Sequence, residues 1–324
     1  MITLSDIRQP IEPEMKSFEP FFVKALRSPN LLLTAITNYI LRRKGKQMRP
    51  MLVFLAAKTV GEVSDDSYTA ATLIELLHTA TLVHDDVVDE TYQRRGQFSV
   101  NAIWNSKLAV LIGDFFLARG LQTAINAKSY KMLKIVSESV EEISEGELIQ
   151  LRRADSLDID EPAYYDIIRR KTATLIAACT KCGAISANAS DDQAEKLYNY
   201  GINLGMAFQI RDDIFDYEKS NLLGKPSGND VKERKLTLPL IYALSQATPK
   251  ERKALLRAIS HDSKSEKTVL AATDLVERYG GCDYARKRMD YYSREATDCL
   301  IGFKNSEALQ ALHDLVQFNK ERQK

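Results

Sequence analysis

Apolar residues return at the spacing of an α-helix along almost the whole chain, and sustained two-residue alternation is scarce. Leu73, Ile74, Leu77, Ala80 and Thr81 form one such run, and Ile202, Leu204, Met206 and Ile210 another. A period near 3.6 buries one stripe of a helix, whereas a half-buried strand needs a period of two, so the expected fold class is all-α. The 14 glycines and 9 prolines are about 7% of the 324 residues, against roughly 12% in average proteins, which argues against collagen-like, loop-rich and disordered chains. Turn and cap chemistry at Ser28-Pro29-Asn30, Lys44-Gly45-Lys46, 61–67, Arg95-Gly96, 155–162 and Ser190-Asp191-Asp192 separates the runs. That implies roughly ten or more helices of about 11–12 residues. No Gly/Ser-rich or Pro-rich linker interrupts them, so one domain over 1–324 is expected, with polar, frayed ends at 1–10 and 318–324.

The 45 Lys+Arg against 44 Asp+Glu leave a net charge of +1. Such a balance gives no general attraction to nucleic acid or to an anionic membrane, so any anion site must be local. Four cysteines in this length make no disulfide scaffold, and the opening MITLSDIRQPIEPEM has no basic segment followed by an apolar one; a cytoplasmic chain with reduced thiols is expected. The most apolar stretch, 108–118, is shorter than a spanning helix and contains Asp114, so no stable membrane insertion is expected. Cys179-Thr180-Lys181-Cys182 lacks a second pair at zinc spacing and reads as core. His84, His261 and His313 show no ligand spacing and receive no role; Trp104 reads as structural.

One pattern occurs twice. Residues 84–90 read HDDVVDE and residues 211–217 read RDDIFDY, each the polar end of an apolar helical stretch. On a helix, D-D-x-x-D places Asp85, Asp86 and Asp89 within roughly one quadrant, and Asp212, Asp213 and Asp216 repeat the arrangement. Like charges at i,i+4 destabilise a helix unless a cation offsets them. Hard oxygen ligands of this kind suit Mg²⁺, which keeps several waters and is shared between one or two carboxylates and substrate phosphates. A solvated acidic face is the plain alternative for a single triplet. Two triplets beside apolar Val87, Val88, Ile214 and Phe215 weigh against it. An EF-hand needs a central glycine and terminal glutamate, and an aspartic-protease dyad needs two close carboxylates rather than six in two groups.

Basic residues gather beside turns. Lys46 and Arg49 stand at i,i+3, a fork able to hold one phosphate. Arg94 and Arg95 closely follow Asp89; Lys171-Thr172 opens another apolar helix; Lys225 and Lys235 flank an irregular stretch, 219–235, that reads as a mobile flap. His78 lies two helical turns before Asp85 on the same face. A lone lysine is most often solvated and a lone histidine most often a satisfied core residue, but together these positions favour a compact anion pocket.

These motifs resemble those of the trans-isoprenyl diphosphate synthases, the polyprenyl synthetase family, over most of the chain. The similarity is carried by GKQMRP at 45–50, HTATLVHDDVVDETYQRRG at 78–96, GDFF at 113–116, GELIQL at 146–151, KTATL at 171–175, FQIRDDIFD at 208–216, GKPSGND and KLTLPL. Arg211 stands where that family commonly has an apolar residue, and Arg234 where glycine usually precedes the lysine. The resemblance implies an antiparallel helical bundle around a deep central cavity, the isoprenoid synthase type I fold, usually as a homodimer. It implies about three Mg²⁺ ions, replaceable by Mn²⁺, in the region of the six aspartates, with Asp85, Asp89 and Asp212 as direct ligands. Arg94, Lys171, Thr172, Gln209, Lys225 and Lys235 would hold the allylic diphosphate; Lys46, Arg49, His78 and Arg95 would hold isopentenyl diphosphate. The six aspartates with Lys171 and Lys225 form the expected catalytic set.

By the same resemblance, product length is set below Asp85, where longer-product members carry small residues. Thr81 and Ala80 stand there, and the floor is expected at Leu77, Ile112, Phe115 or Phe116, unless these are simply core. A class I terpene cyclase is the nearest enzymatic alternative, though its second metal motif usually mixes Asn or Asp, Ser or Thr and Glu. A non-catalytic subunit of a heteromeric synthase is the other; such subunits typically lose the aspartates.

Overall fold

The computed structural model describes all residues except 1, 43–44, 95, 158–159, 219–227 and 323–324, and the side chains of all described residues but Arg94, Asp155 and Ser156. About 82% of the chain is helical. Among the described residues the strands form one small antiparallel ribbon, Gln93–Arg94 against Gln97–Phe98, with Gly96 between them at φ of 73°. The helix starts follow the caps read from sequence. Asn30 accepts from the amides of Leu32 and Leu33, and Ser190 with Gln193 forms a capping box, satisfying first-turn donors that have no partner within the helix.

Two long helices carry the aspartates. The first, Asp65–Val88, packs along Ser106–Asn126 and against Met48–Val60; the second, Asp191–Tyr217, packs on Thr174–Ser186 and Gly281–Cys299. Thr174–Ser186 also touches Asp65–Val88 and Met48–Val60, so one largely buried helix lies between the two aspartate helices. Helices buried on nearly every side need apolar residues all round, and Met48–Val60 shows this, with its residues 50–57 all buried. Gly201 and Gly205, four residues apart, set the approach of the second aspartate helix. A Cβ there would lie 2.5 Å from Ala177 Cα and 2.5 Å from Ala173 Cα respectively.

Three expectations change. The described residues of the two ends are not frayed: Leu4–Arg8 is helical with Ile7 fully buried, and Glu307–Glu321 is followed directly by Arg322, which makes an ion pair with Asp212. Buried apolar side chains at Ile7, Ile11 and Leu315 hold both ends in the core, which outweighs their polar neighbours. The apolar stretch at 108–118 continues into a helix of 21 residues, Ser106–Asn126, with a mean hydropathy of 1.5 over its most apolar part. Length and composition alone would therefore permit a span. Its buried side, Ala109, Ile112, Gly113, Phe116, Gly120 and Ala124, faces the first aspartate helix, while Val110, Leu111, Asp114, Ala118 and Ile125 are exposed on the opposite side. Finally, Lys171 and Thr172 do not open a helix. They lie in a π-helical turn, Arg169–Ala173, which joins Glu161–Ile168 to Thr174–Ser186 without a break.

Overpacking a close helix contact typically costs about 1–3 kcal/mol. Gly205→Ala is therefore expected to lower unfolding free energy by about that amount in denaturant titrations; an unchanged midpoint would contradict the close approach.

Candidate active site

The first cluster sits at a helix end. Asp85 and Asp86 occupy the last turn of Asp65–Val88, and Asp89 is its C-cap, with its amide donating to the Asp85 carbonyl at 2.8 Å. Asp86 is buried, Asp85 half-buried and Asp89 exposed. The backbone beyond is pinned by Asn101 Nδ2 and the Thr91 amide, both donating to the Asp86 carbonyl, at 3.0 and 2.9 Å.

The second cluster divides its work. Asp213 is buried; it accepts from the Tyr164 hydroxyl at 2.6 Å and from Gln209 Nε2 at 2.9 Å, and Gln209 Oε1 in turn accepts from Thr172 at 2.9 Å. Asp216 is buried too, and its two oxygens accept from the amides of Asn229 and Asp230, each at 3.0 Å. Only Asp212 is half-buried, and the Arg322 guanidinium donates to it.

Lys235 connects the clusters. Burial lowers its pKa, but the Glu233 hydrogen bond and the charges of Glu233, Asp230 and Asp89 outweigh this and raise it. Asp230, in turn, interacts with Asp213 and Asp216. The Lys235 ammonium therefore acts on Asp89 of the first group and on Asp230, which in turn acts on Asp213 and Asp216 of the second. Lys46 likewise acts on Asp212.

A cavity of about 150 Å³ opens beside this junction. Four of the expected allylic-diphosphate residues line it, Lys171, Thr172, Gln209 and Lys235, together with Asp213, Asp230, Tyr164 and the apolar Ile167, Ile168 and Leu236. Lys171 Nζ is held at 2.6 Å from Glu147 Oε2 and donates to Gln150 at 3.3 Å. The remaining two, Arg94 by its side chain and Lys225 entirely, lie outside the described residues, as does Arg95. Of the expected isopentenyl-diphosphate residues, Lys46 is exposed just before Met48–Val60, Arg49 lies in that helix's first turn, and His78 shares a helix face with Thr81 and Asp85. Arg49 and Glu75, the latter one turn before His78, both act on the Cys179 thiol, so the two donor helices face the same central helix. Burial first, then Glu75, pushes that thiol up to about 12 against the effect of Arg49, and Cys179 donates to the Leu175 carbonyl; the CxxC is core.

The expected flap is partly overturned. Residues 219–227 lie outside the described residues, but 228–235 are anchored. Gly228 takes φ of 56°, Val231 is buried, Asp216 caps Asn229–Lys232, and Ser263 Oγ donates to the Lys232 carbonyl at 2.8 Å. Arg234, where the resembling family has glycine, holds a left-handed φ of 58°, a conformation that penalises a Cβ. Its guanidinium donates to the Ser260 carbonyl at 2.9 Å. Ala80, Leu77, Ile112 and Phe116 are all buried in one core cluster with Phe115 at its edge. Thr81 stays on the Asp85 face, whereas Ala80 lies well round the helix from it, because five residues advance a helix by about 140°.

Sequence reasoning missed Tyr164, Asp230, Glu147 and Arg322. Asp230 and Glu147 fall inside GKPSGND and GELIQL and could have been read as charged members of those motifs. Tyr164 and Arg322 carry no local signal, since their meaning comes only from contacts 49 and 110 residues away.

Burial, then the nearby charges of Asp212 and Asp216, hold Asp213 above the usual carboxylate range despite its hydrogen bonds. Burial, with Asp213 and Asp216, does the same to Asp230. The folded chain thus keeps protons that the unfolded chain has released above the ordinary value of 3.8. The stability this contributes is present at acidic pH and lost as pH rises through the raised values. Without metal, Asp213→Asn is expected to flatten the fall in denaturant midpoint between about pH 5 and pH 8; an unchanged slope would refute the assignment.

The chain matches the family model described as Polyprenyl synthetase over residues 30–276. It is 34% identical over 322 residues to octaprenyl diphosphate synthase of Escherichia coli (strain K12), covering 99% of both chains. It is 36% identical to a Rhodobacter capsulatus all-trans-nonaprenyl-diphosphate synthase described as geranyl-diphosphate specific, covering 98% of this chain and 97% of the relative. Among solved structures, a decaprenyl diphosphate synthase from Rhodobacter capsulatus superposes with a TM-score of 0.93 at 34% identity, over 98% of this chain and 99% of that one. A Caulobacter crescentus CB15 polyprenyl synthase complexed with calcium and isoprenyl diphosphate gives 0.90 at 33%, over 99% and 98%.

Proposed function

The chain belongs to the polyprenyl synthetase family, and from that premise we propose that it joins isopentenyl diphosphate head-to-tail to an allylic prenyl diphosphate. Diphosphate leaves and an all-trans polyprenyl diphosphate of geranylgeranyl length or longer is made. The chain is a prenyltransferase. The observation that carries the reading is the pair of D-D-x-x-D helix ends, with Lys235 acting on Asp89 of the first and lining one cavity with Asp213 of the second, Lys171, Thr172 and Gln209.

The family is divalent-metal dependent, and the donor set fits Mg²⁺. Asp85, Asp89 and Asp212 offer hard oxygens at partly exposed positions. Among the described residues no three ligating side chains enclose one point, which suits an ion that keeps its waters and shares one or two carboxylates with diphosphate oxygens. The relative complexed with calcium and isoprenyl diphosphate supports a fold that takes both a divalent ion and a prenyl diphosphate. About three such ions, Mg²⁺ or Mn²⁺, would neutralise charge as the allylic C–O bond ionises.

The chain's own residues do the rest. Lys171, Thr172, Gln209 and Lys235, with Arg94 and Lys225, hold the allylic diphosphate; Lys46, Arg49, His78 and Arg95 hold isopentenyl diphosphate. Pre-placed cations stabilise charge on a leaving group without reorganising at the moment of reaction. Ile167, Ile168 and Leu236 keep water from the allylic cation. The double bond of isopentenyl diphosphate attacks that cation, and the proton then lost passes to the departing diphosphate, so no protein nucleophile is required. The single domain spans 1–324 and works in the cytoplasm.

The purified chain, given isopentenyl diphosphate, farnesyl or geranylgeranyl diphosphate and Mg²⁺, should yield longer polyprenyl diphosphates on product sizing. Asp85→Ala and Asp212→Ala should each lower kcat by about 10²-fold or more. Cyclic hydrocarbons, or no product from the chain alone, would favour the cyclase or the heteromeric subunit. Tail growth runs from the Asp85 face past Thr81 into the core cluster that holds Ala80, 3% exposed, with Leu77, Ile112 and Phe116. Ala80→Phe should shorten products to about three or four isoprene units, because a packed wall cannot absorb an aromatic ring; an unchanged profile would refute this placement. The partner is a second copy, meeting through the exposed apolar side of Ser106–Asn126, where Val110, Leu111 and Ile125 lie on one face. Leu111→Glu should convert a dimer to a monomer in light scattering, and an unchanged mass would exclude that face.

A further inference from the structure

Two glycines seven residues apart, Gly113 and Gly120, lie on the side of Ser106–Asn126 that packs along the first aspartate helix. They are not equivalent. A Cβ on Gly120 would meet Leu73 Cδ1 at 3.4 Å and Leu76 Cβ at 3.6 Å, ordinary packing distances. A Cβ on Gly113 would fall 2.1 Å from His84 Nε2, 2.4 Å from Cδ2 and 2.8 Å from Cε1, well inside contact distance of the imidazole edge. The ring thus takes the space that any side chain at 113 would need. It is fixed there by Nε2, which donates to the Val110 carbonyl at 3.2 Å and lies 3.6 Å from Asp114 Oδ1.

His84 directly precedes Asp85, in the final turn of the helix. Beyond it only Val87 packs at the edge of the core, while Val88 is 66% exposed and Asp89 is exposed. That turn is therefore held on one side by the imidazole against Gly113 and on another by Asn101 bonded to the Asp86 carbonyl. Mg²⁺ demands near-ideal octahedral geometry, and supporting contacts behind metal ligands typically change affinity about 10–100-fold when lost. We propose that His84, seated on Gly113, is a positioning residue that fixes the roll of the helix end carrying Asp85 and Asp89, and so sets the affinity of the first cluster for metal-bound diphosphate. This rests on the metal reading above and assigns a role to a histidine that the synthesis chemistry itself does not use.

The test is the rise in melting temperature of the whole chain on adding Mg²⁺ with inorganic diphosphate, read as the Mg²⁺ concentration giving half the shift. Gly113→Ala should need about tenfold more Mg²⁺ than the unsubstituted chain, while Gly120→Ala should match the unsubstituted chain. His84→Ala should weaken the response severalfold. The double variant should lie closer to the unsubstituted chain than Gly113→Ala does, because removing the ring relieves the clash. In turnover, the Mg²⁺ requirement of Gly113→Ala should rise while the KM for isopentenyl diphosphate holds. A folded Gly113→Ala with an unchanged half-point, or a double variant no better than Gly113→Ala, would overturn the proposal. If Gly113→Ala does not fold, His84→Ala decides, since it only removes atoms, and an unchanged half-point there would overturn it. An unsubstituted chain showing no Mg²⁺-dependent shift would instead sink the metal reading itself.

Discussion

Carboxylates crowded at two helix ends repel one another, and desolvation makes that repulsion stronger inside the protein than in water. In this chain the repulsion is met by distributing the six aspartates among different partners. Asp213 is satisfied by Tyr164 and Gln209, and Asp216 by two backbone amides. Arg322, with Lys46 acting on it as well, compensates Asp212, while Lys235 acts on Asp89 and lines one cavity with Asp213. What is left partly open to solvent, Asp85, Asp89 and Asp212, is the oxygen set that a metal-bound diphosphate can share.

That distribution depends on close helix packing. Gly201 and Gly205 let the second aspartate helix meet Ala177 and Ala173, which brings the π-helical turn beside it so that Thr172 reaches Gln209. A π-turn in an otherwise α-helical stretch often marks a functional position. Here it carries Lys171 and Thr172 into the cavity wall. At the first aspartate helix the close contact is of another kind, since Gly113 leaves room for the His84 imidazole rather than for a neighbouring backbone. Packing thus fixes the carboxylates before any ligand arrives, and pre-organisation of this kind is what makes fixed charge effective on a leaving group.

Much of this was legible in the chain itself, because helical periodicity, caps and the paired D-D-x-x-D are local signals. Ser190 and Asn30 announced their helices, Asp85 and Asp212 lie towards helix ends as the pattern suggested, and Lys171 and Gln209 line one cavity although Lys171 opens no helix. What stayed hidden was whatever depends on distant contacts. Arg322 looked like a loose end, yet its carbonyl accepts from Arg211 and its side chain reaches Asp212. Residues 228–235 looked mobile from their glycine, lysines and arginine, and the bonds to Asp216, Ser263 and Ser260 show why they are held. The departure at Arg211 has a similar explanation. It lies over Phe215 at 4.2 Å and pairs with Glu218, so a charge occupies a largely buried position through its partners.

The central claim is that the two aspartate clusters act on one diphosphate. Anomalous diffraction from crystals grown with Mn²⁺ and diphosphate tests it most directly. The account predicts metal peaks at both Asp85/Asp89 and Asp212, joined by a single bound diphosphate. Metal confined to one cluster, or separate ions with no shared anion, would contradict it.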